Sequence, residues 1–316
     1  MSLSINTNTS AMVALETLNA TQTQLSATEN AVSTGKKVAN ASDSPAAFGI
    51  ASQMNGNIAG QGAVNDGLSF ASTVVSSTNS AANQILSVLA EVQAAVTTMG
   101  NNRGSTTSLA QINTEITGYL KQIDTIATNA TTNGVNLLVS SASASTSGSF
   151  NGITAASVVY VTGLQGSTAT INNLFNIISS SGITSTSSGS LTEALGLSSS
   201  LDGDSLASNN AFLTTTGSFA SGVTLTSAIA AVQKAITAMT NVTSELGQNT
   251  KNIANMTTFG QTVADNLTTG VGALTDADMS AESAKLTSLQ TKQSLAIKSL
   301  SIANGQSQNI LSLFQS

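Results

Sequence analysis

Apolar residues near the start of the chain recur at steps of three and seven residues. Such spacing places their side chains on one stripe of a helix, because an α-helix has 3.6 residues per turn. The helix is predicted to end near Ser33-Thr34-Gly35, where the polar connector GKKVANASDS begins. The stripe consists of Met12, Leu15, Leu18, Leu25 and Val32.

A second helix is predicted to begin at Pro45, the only proline of the chain. Ser44 precedes it, and Ser at the N-cap with Pro at the first helical position is a common helix start. Apolar residues continue to Gly100, which predicts a rod about 80 Å long at 1.5 Å per residue. Glycine costs about 1 kcal/mol relative to Ala inside a helix, so either the rod is locally broken or close packing requires the missing side chains. The glycines concerned are Gly49, Gly56, Gly60, Gly62 and Gly67.

A third, amphipathic helix is predicted after the turn NNRG at residues 101–104. Its apolar residues recur at steps of three and four, as a helix packed on a neighbour requires. The tract TTNGVNLLV then predicts a tight turn at Asn133-Gly134 followed by a short strand at the edge of the helical unit. The apolar residues of the helix are Leu109, Ile112, Ile116, Leu120, Ile123 and Ile126.

The middle region, residues 140–223, differs in composition. Of its 84 residues 33 are Ser or Thr, and its only charges are Glu193, Asp202 and Asp204. SVVYV predicts a strand, and NNLFNII and LTEALGL predict short helices, so we expect a small α+β insertion. Its aromatic residues predict a core of its own, and its role stays open between a binding or display module and a solvated spacer. These residues are Phe150, Tyr160, Phe175, Phe212 and Phe219.

Apolar residues at exact sevens predict a coiled-coil seam in the C-terminal part of the chain. Ile229 and Ile236 are taken as the companion row, which Thr243 and Thr250 interrupt. The pattern breaks at residues 268–278 and resumes from Met279 to Phe314. The seam residues are Leu225, Val232, Met239, Leu246 and Ile253.

The outermost pair of predicted helices, residues 11–33 and 280–314, has few apolar side chains for the number of residues to be ordered. We therefore hypothesise that these ends fold only when several copies bury each other's stripes. The expected polymerisation residues are Leu15, Leu18, Leu25, Val32, Leu286, Leu289, Leu295, Leu300, Leu311 and Phe314. Residues 1–35 carry only Glu16 and Glu29, whereas the last segment carries Glu282 with Lys285, Lys292 and Lys298. These opposite net signs could help set register, although an exposed ion pair contributes only about 0–1 kcal/mol.

Composition excludes most enzyme chemistries. Among 316 residues there is no Cys and no His, which removes Ser-His-Asp and Cys-His nucleophiles and thiolate or imidazole metal ligands. No cofactor or metal is therefore expected. Charged residues make up 8%, and 93 residues are Ser or Thr, so the surface is expected to be polar and largely uncharged.

Charge and hydropathy also narrow the class of partner. The net charge is −6 and Arg103 is the only arginine, which argues against nucleic-acid binding, because phosphate contacts need clustered cations. No run of 18 apolar residues occurs, so no membrane span is expected. The N-terminal MSLSINTNTS has neither a basic residue nor an apolar core, so no cleaved signal peptide is expected.

Tracts at both ends of the chain resemble bacterial flagellin, roughly over residues 1–139 and 224–314. The N-terminal tracts are SINTNTSAM, STGKKVANASDSPAAFGIA, VNDGLSFAST, INTEITGYLKQID and TNGVNLL. The C-terminal tract is GALTDADMSAESAKLTSLQTKQSLAIKSLSIANGQSQNILSLF. So long a tract is unlike a chance match.

The resemblance implies a structural subunit of the extracellular motility filament, with a mainly α fold in which both termini form a long antiparallel helical rod. The implied domains are filament-core segments 1–44 and 276–316, rod halves 45–139 and 224–275, and a variable outer insertion at 140–223. It also implies unfolded export by the flagellar type III apparatus. The implied partners are further copies of the chain, an export chaperone, and the cap and hook-filament junction proteins.

Two departures from the family's usual pattern change expectations. The chain ends in Phe314-Gln315-Ser316 rather than in a basic residue. In flagellins detected by an innate immune receptor, an Arg is followed four residues later by Leu, with a Glu on the next helix. The matching positions here are Glu91, Ala95 and Glu115, so we expect weak or no activation of that receptor.

Three other classes remain as alternatives. A hook-filament junction protein would share the terminal helices, and a surface adhesin would use the insertion, which has few aromatics and no cationic cluster. The Ser/Thr density of the insertion is compatible with O-glycosylation or with an unmodified soluble coat. An enzyme is the least favoured class, since the carboxylate pairs Asp202/Asp204 and Asp276/Asp278 are interpreted as caps or solvated turns.

Overall fold

The computed structural model describes residues 8–139, 157–174, 177–178, 190–199 and 206–313. Its elements, in chain order, are α1 (Thr9–Thr34), α2 (Pro45–Asn101), α3 (Thr106–Asn129), β1 (Val158–Val161), β2 (Thr168–Ile171), α4 (Leu191–Ala194), α5 (Leu225–Thr275) and α6 (Met279–Leu313). The mainly α fold class is confirmed. None of the helices within these residues has the length and apolar character needed to cross a membrane.

Local capping sets both ends of α1. The Asn8 side chain accepts a hydrogen bond from the Ala11 backbone N–H at 3.0 Å. At the other end Gly35 has a φ of 70°, a left-handed conformation that glycine adopts without a Cβ penalty. The helix therefore ends where the sequence predicts.

The long helix α2 is unbroken across all five of its N-terminal glycines. It starts as predicted, with Ser44 Oγ accepting a hydrogen bond from Ala47 N at 3.4 Å. A Cβ built on Gly60 would lie 2.8 Å from Leu164 Cδ2, whereas the other four glycines have nothing within 4 Å of that position. Close packing therefore accounts for Gly60 alone.

The main hydrophobic core is formed by α2, α3 and α5. On α3, Ile116, Leu120 and Ile123 are fully buried, in agreement with the predicted stripe. On α5 the predicted seam at sevens is confirmed, since Val232 and Met239 are also fully buried.

The companion row of that seam differs from the prediction. Ala228, Ala235 and Val242 are buried, whereas Ile229 and Ile236 are only partly buried. The buried row lies three residues after each seam position, as in a regular heptad, and it continues through Val242. The prediction gave weight to side-chain size, but two of the three buried companion positions are alanines.

The Asn133-Gly134 turn is confirmed, because both residues have positive φ and Thr132 pairs with Val135. The strand expected after it is wrong. Asn136 Oδ1 instead accepts hydrogen bonds from the backbone N–H groups of Leu138 and Val139, at 2.9 and 3.2 Å. These donors are therefore not free for a strand ladder.

The insertion contains a strand and a helix where the sequence predicts them. β1 pairs antiparallel with β2, from Val158 opposite Ile171 to Val161 opposite Thr168, and α4 forms within LTEALGL. Of NNLFNII only Ile177 and Ile178 are described as helical. Phe150, Phe175, Asp202 and Asp204 lie outside the described residues.

A separate core for the insertion was predicted, and this is wrong. Tyr160 and Phe212 belong to the same buried cluster as α2, α3 and α5, and Phe219 packs against it. The described aromatic residues of the insertion are therefore packed against the same core as the helices rather than around a centre of their own.

The connector after α1 pairs with the last residue of α5 and with the connector before α6. Lys37 N donates to Thr275 O at 2.7 Å and Ala277 N donates to Gly35 O at 2.9 Å. Asp278 caps α6 by accepting from Ser280 N at 2.9 Å, which confirms its interpretation as a cap.

The chain divides into two compact units. The terminal unit contains Met1–Ala59 and Ala264–Ser316, and the central unit contains Gly60–Val263. The divisions lie inside α2 and α5, so both long helices contribute to each unit.

Candidate polymerisation surface

The helices α1 and α6 pack antiparallel within the terminal unit. At the end of the pair where α1 begins and α6 ends, here called the distal end, the Asn8 side-chain amide donates to Ala303 O at 2.8 Å. Further along, Gln293 Nε2 donates to Gln22 Oε1 at 3.1 Å. The other end is closed by the paired connectors.

The interior of this helix pair is small. On α1 only Thr21, Leu25 and Thr28 are buried. On α6 Leu289 and Ala303 are buried among the described side chains. Thr28 Oγ1 has no hydrogen-bond partner among the described residues, an uncompensated cost of burying a polar group.

Exposed apolar residues concentrate at the distal end of the pair. On α1 Met12 is 64% exposed, Val13 63% and Leu15 48%, and on α6 Leu295 is 67% exposed and Ile302 68%. Ile297 is also exposed. From Glu16 onward, the side of α1 turned away from α6 carries polar residues with small alanines, so the apolar surface ends there.

The predicted polymerisation residues fall into separate environments. Leu15 and Leu295 are exposed, and Leu25 and Leu289 are buried between the two helices. Leu18, Val32, Leu286 and Leu300 are half-buried. Leu311 lies in α6, but its side chain is outside the described part of the structure. Phe314 lies outside it entirely.

Sequence reasoning left four exposed apolar residues out of the expected set. Val13 lies off the predicted stripe of α1, whereas Met12 belongs to that stripe but was not carried into the expected polymerisation set. The adjacent pair Met12-Val13 was a usable indication, because neighbouring helical residues are about 100° apart and cannot share one face. The four residues are Met12, Val13, Ile297 and Ile302.

Within the described residues, no ion pair links α1 to α6. In the described parts of α1 and α6, the ion pair present joins Lys285 to Glu282 at 3.5 Å, within α6 itself. Register inside the pair is therefore set by packing and by the Asn8 and Gln293 hydrogen bonds, not by opposite charges.

The positions expected to meet the immune receptor lie in the central unit. Glu91 and Glu115 are exposed, whereas Ala95 is only 6% exposed. Tyr119 Oη donates to Glu115 Oε1 at 3.2 Å. Loss of solvation, this hydrogen bond and the negative charges of Glu115 and Glu91 raise the pKa of Tyr119.

A buried carboxylate fastens the insertion to α3. Asp124 Oδ1 accepts from Thr192 N at 2.9 Å, and its Oδ2 accepts from Thr192 Oγ1 at 2.7 Å and Ala207 N at 3.0 Å. Burial raises the pKa of Asp124 to about 6, although the donors from Thr192 and Ala207 lower it. Sequence reasoning missed this group because its partners are 68 and 83 residues away.

Two buried asparagines fasten further segments to the same helix. Asn136 Nδ2 donates to Ala127 O at 2.7 Å, near the end of α3. Asn210 Nδ2 donates to Asn113 Oδ1 at 2.7 Å, while its Oδ1 accepts from Leu213 N at 2.8 Å. The insertion is thus held along α3 by hydrogen-bonded polar groups.

Two family models match the chain. The bacterial flagellin N-terminal helical region matches residues 5–143, and the bacterial flagellin C-terminal helical region matches residues 229–314. Flagellin FljK of Caulobacter vibrioides is 31% identical over 312 residues, which cover 99% of this chain and 98% of that protein. Flagellin C of Rhizobium meliloti is 32% identical, with 99% of both chains covered. A flagellin of Brucella melitensis is 31% identical, again with 99% of both chains covered.

Proposed function

Because the chain belongs to the bacterial flagellin family, we propose that it is a structural subunit that polymerises into the flagellar filament through α1 and α6. One observation supports this choice of surface: six large apolar side chains are exposed at one end of a helix pair with a small interior. Similarity over the full length favours a filament subunit over a junction protein or an adhesin.

The terminal helices complete their folding on assembly. Ordering a residue costs about 1–2 kcal/mol of backbone entropy, and α1 offers one buried large apolar side chain, Leu25, in 26 residues against that cost. Contacts with further copies would bury the exposed distal residues and supply the missing stabilisation. Polymerisation and folding of the ends are then one coupled process.

The regions of the chain take different places in the filament. Residues 1–44 and 276–316 form its core, residues 45–139 and 224–275 form a helical shell, and residues 140–223 lie outermost. The unmatched interval between the two family models, residues 144–228, supports this placement of the insertion. Antibodies raised against the insertion should decorate intact filaments, and antibodies against α1 should not.

Flagellar filaments are extracellular, and we assign this chain the family's export route, unfolded and without a cleaved signal peptide. Its partners on that route would be an export chaperone, the junction proteins and the cap. Intact-mass measurement of filaments sheared from cells tests the route. A filament subunit that has lost an N-terminal peptide of signal-peptide length would contradict it.

Seeded growth tests the proposed function. Purified chains mixed with short filament fragments should elongate them into micrometre-long filaments, seen by electron microscopy, while the same chains without α1 and α6 should not. If the full chain stays monomeric on seeds at concentrations well above those of related flagellins, the assignment is wrong.

A second proposal concerns the acidic positions on α2 and α3. Glu91 and Glu115 are both exposed, and their negative charges would repel a receptor surface that accepts a cation. Purified monomer should give a weak reporter response, and Glu91→Arg should increase it. A strong response to the parental monomer at ordinary doses would reject this proposal.

A further inference from the structure

The distal end of the helix pair presents two different surfaces. One is the outer face of α1, formed by Met12, Leu15, Glu16 and Asn19, whose spacing of three, four and seven residues places them on one side of the helix. The buried positions Thr21, Leu25 and Thr28 lie on the opposite side, so the described residues of the chain leave this face uncovered.

The other surface is the distal groove between α1 and α6. It has a volume of about 360 Å³. Val13 and Leu295 form apolar walls, the small side chains of Ala14 and Ala296 leave it open, and Lys292 lies along one side. It occupies a different side of α1 from the outer face, so a single molecule presents both surfaces at once.

The two surfaces have complementary chemistry, since both are apolar and they carry opposite charges. The outer face carries two large apolar side chains beside a carboxylate, and the groove offers an apolar trough beside an ammonium group. Neither Glu16 nor Lys292 takes part in an ion pair within the described residues of this chain. Glu29, the other acidic residue of α1, lies 13 residues further on, about 20 Å along the helix.

We propose that the outer face of α1 in one chain docks into the distal groove of a second copy, with Glu16 beside Lys292. This inference rests on the proposed function and specifies the contact between copies through which polymerisation would occur. Because the joined surfaces differ, the contact is heterologous and can repeat without closing, as an open filament requires. The apolar side chains supply the burial, and the ion pair fixes the register.

Charge reversal and its rescue test the pairing. Glu16→Lys and Lys292→Glu should each raise the critical concentration for seeded growth about fivefold at low ionic strength, the size expected for one exposed ion pair replaced by a like-charge contact. The double variant E16K/K292E should return within about twofold of the parental value. High salt should reduce the differences, because exposed charges are screened.

Matched controls are Glu29→Lys on α1 and Lys251→Glu on α5, which reverse exposed charges at residues that line neither surface. Failure of the parental chain to grow on seeds would reject the proposed function. If the parental chain grows, two results overturn the docking contact: single reversals that behave like the controls, or a double variant no better than the singles. All five variants change only exposed residues outside the interior of the helix pair, so the circular dichroism spectrum of the monomer should be unchanged.

Discussion

The helices α1 and α3 are nearly equal in length but differ in how much they bury. The 24-residue α3 has seven buried residues, most of them large and apolar, whereas the 26-residue α1 has three, two of which are threonines. Burial of apolar area is the main favourable term in folding. The central unit therefore has a large core within one chain, whereas the described part of the terminal unit leaves six large apolar side chains exposed at its distal end.

Large apolar side chains are also exposed in the central unit, among them Val159 and Phe259, but the helices there pack around a closed core. At the distal end of the terminal unit six large apolar side chains are exposed, close together on two helices. In the central unit the seam of α5 is fully buried from Val232 to Leu246. A cluster of exposed apolar residues like that of the terminal unit marks an interaction surface, whereas a buried seam shows helices that already pack on each other within one chain.

The largest expected effect is the loss of filament growth without loss of the fold. Leu15→Asp combined with Leu295→Asp places two carboxylates in the exposed apolar patch, where a charge cannot be buried cheaply. Elongation on seeds should fall below detection, while the denaturant midpoint of the monomer stays within error. A control pair, Thr23→Asp with Thr291→Asp, changes exposed polar positions and should retain growth. Normal growth of the leucine variant would show that the patch is not a contact.

The next effect separates the stability of the two units. Ile116→Ala removes a fully buried side chain from the central core and should reduce the free energy of unfolding by about 2–5 kcal/mol. Leu25→Ala, in the helix pair, should change the main unfolding transition by less than about 0.5 kcal/mol. Urea titration followed by circular dichroism measures both. Equal losses would mean that α1 is already part of one cooperative core.

A smaller effect concerns the anchor of the insertion. Asp124→Asn turns an amide NH₂ toward a backbone donor. It should lower the free energy of unfolding by about 1–3 kcal/mol at pH 7. Since the folded-state pKa of Asp124 is about 6, above the ordinary value of 3.8, the wild-type chain binds this proton more tightly when folded. Its contribution to stability is therefore largest below about pH 4 and is lost as the pH rises through 6.

The difference in unfolding free energy between wild type and D124N should accordingly be larger at pH 4 than at pH 7, by on the order of 2 kcal/mol. The remaining carboxylates titrate alike in both proteins and cancel. A difference that stays constant over this range would mean that Asp124 is ionised throughout and that its three donors outweigh its burial.

The sequence allowed the helix boundaries to be predicted because their determinants are local. Ser44 with Pro45 starts α2, and Gly35 ends α1, each through groups within a few residues. The heptad seam of α5 was predictable for the same reason. The fold class followed from these periodic segments and from the motifs that resemble flagellin.

Features that depend on distant partners could not be predicted. Asp124 acts on a segment 68 residues away and Asn210 on one 97 residues away, and neither position looks unusual in its own stretch of sequence. The buried companion row of α5 was missed because the burial of a small alanine depends on the neighbouring helices and not on the alanine itself. Periodicity likewise could not divide the apolar residues of α1 between the partner helix and a second chain, since that division depends on where α6 lies.

Amide hydrogen exchange, compared between dilute monomer and filament, tests the central claim most directly. The amides of residues 9–34 and 279–304 should exchange almost without protection in the monomer and slow by orders of magnitude in the filament, while those of α3 stay protected in both states. Equal and strong protection of α1 and α6 in the monomer would contradict the account, because the helix pair would then be stable before any second chain covers its exposed apolar surface.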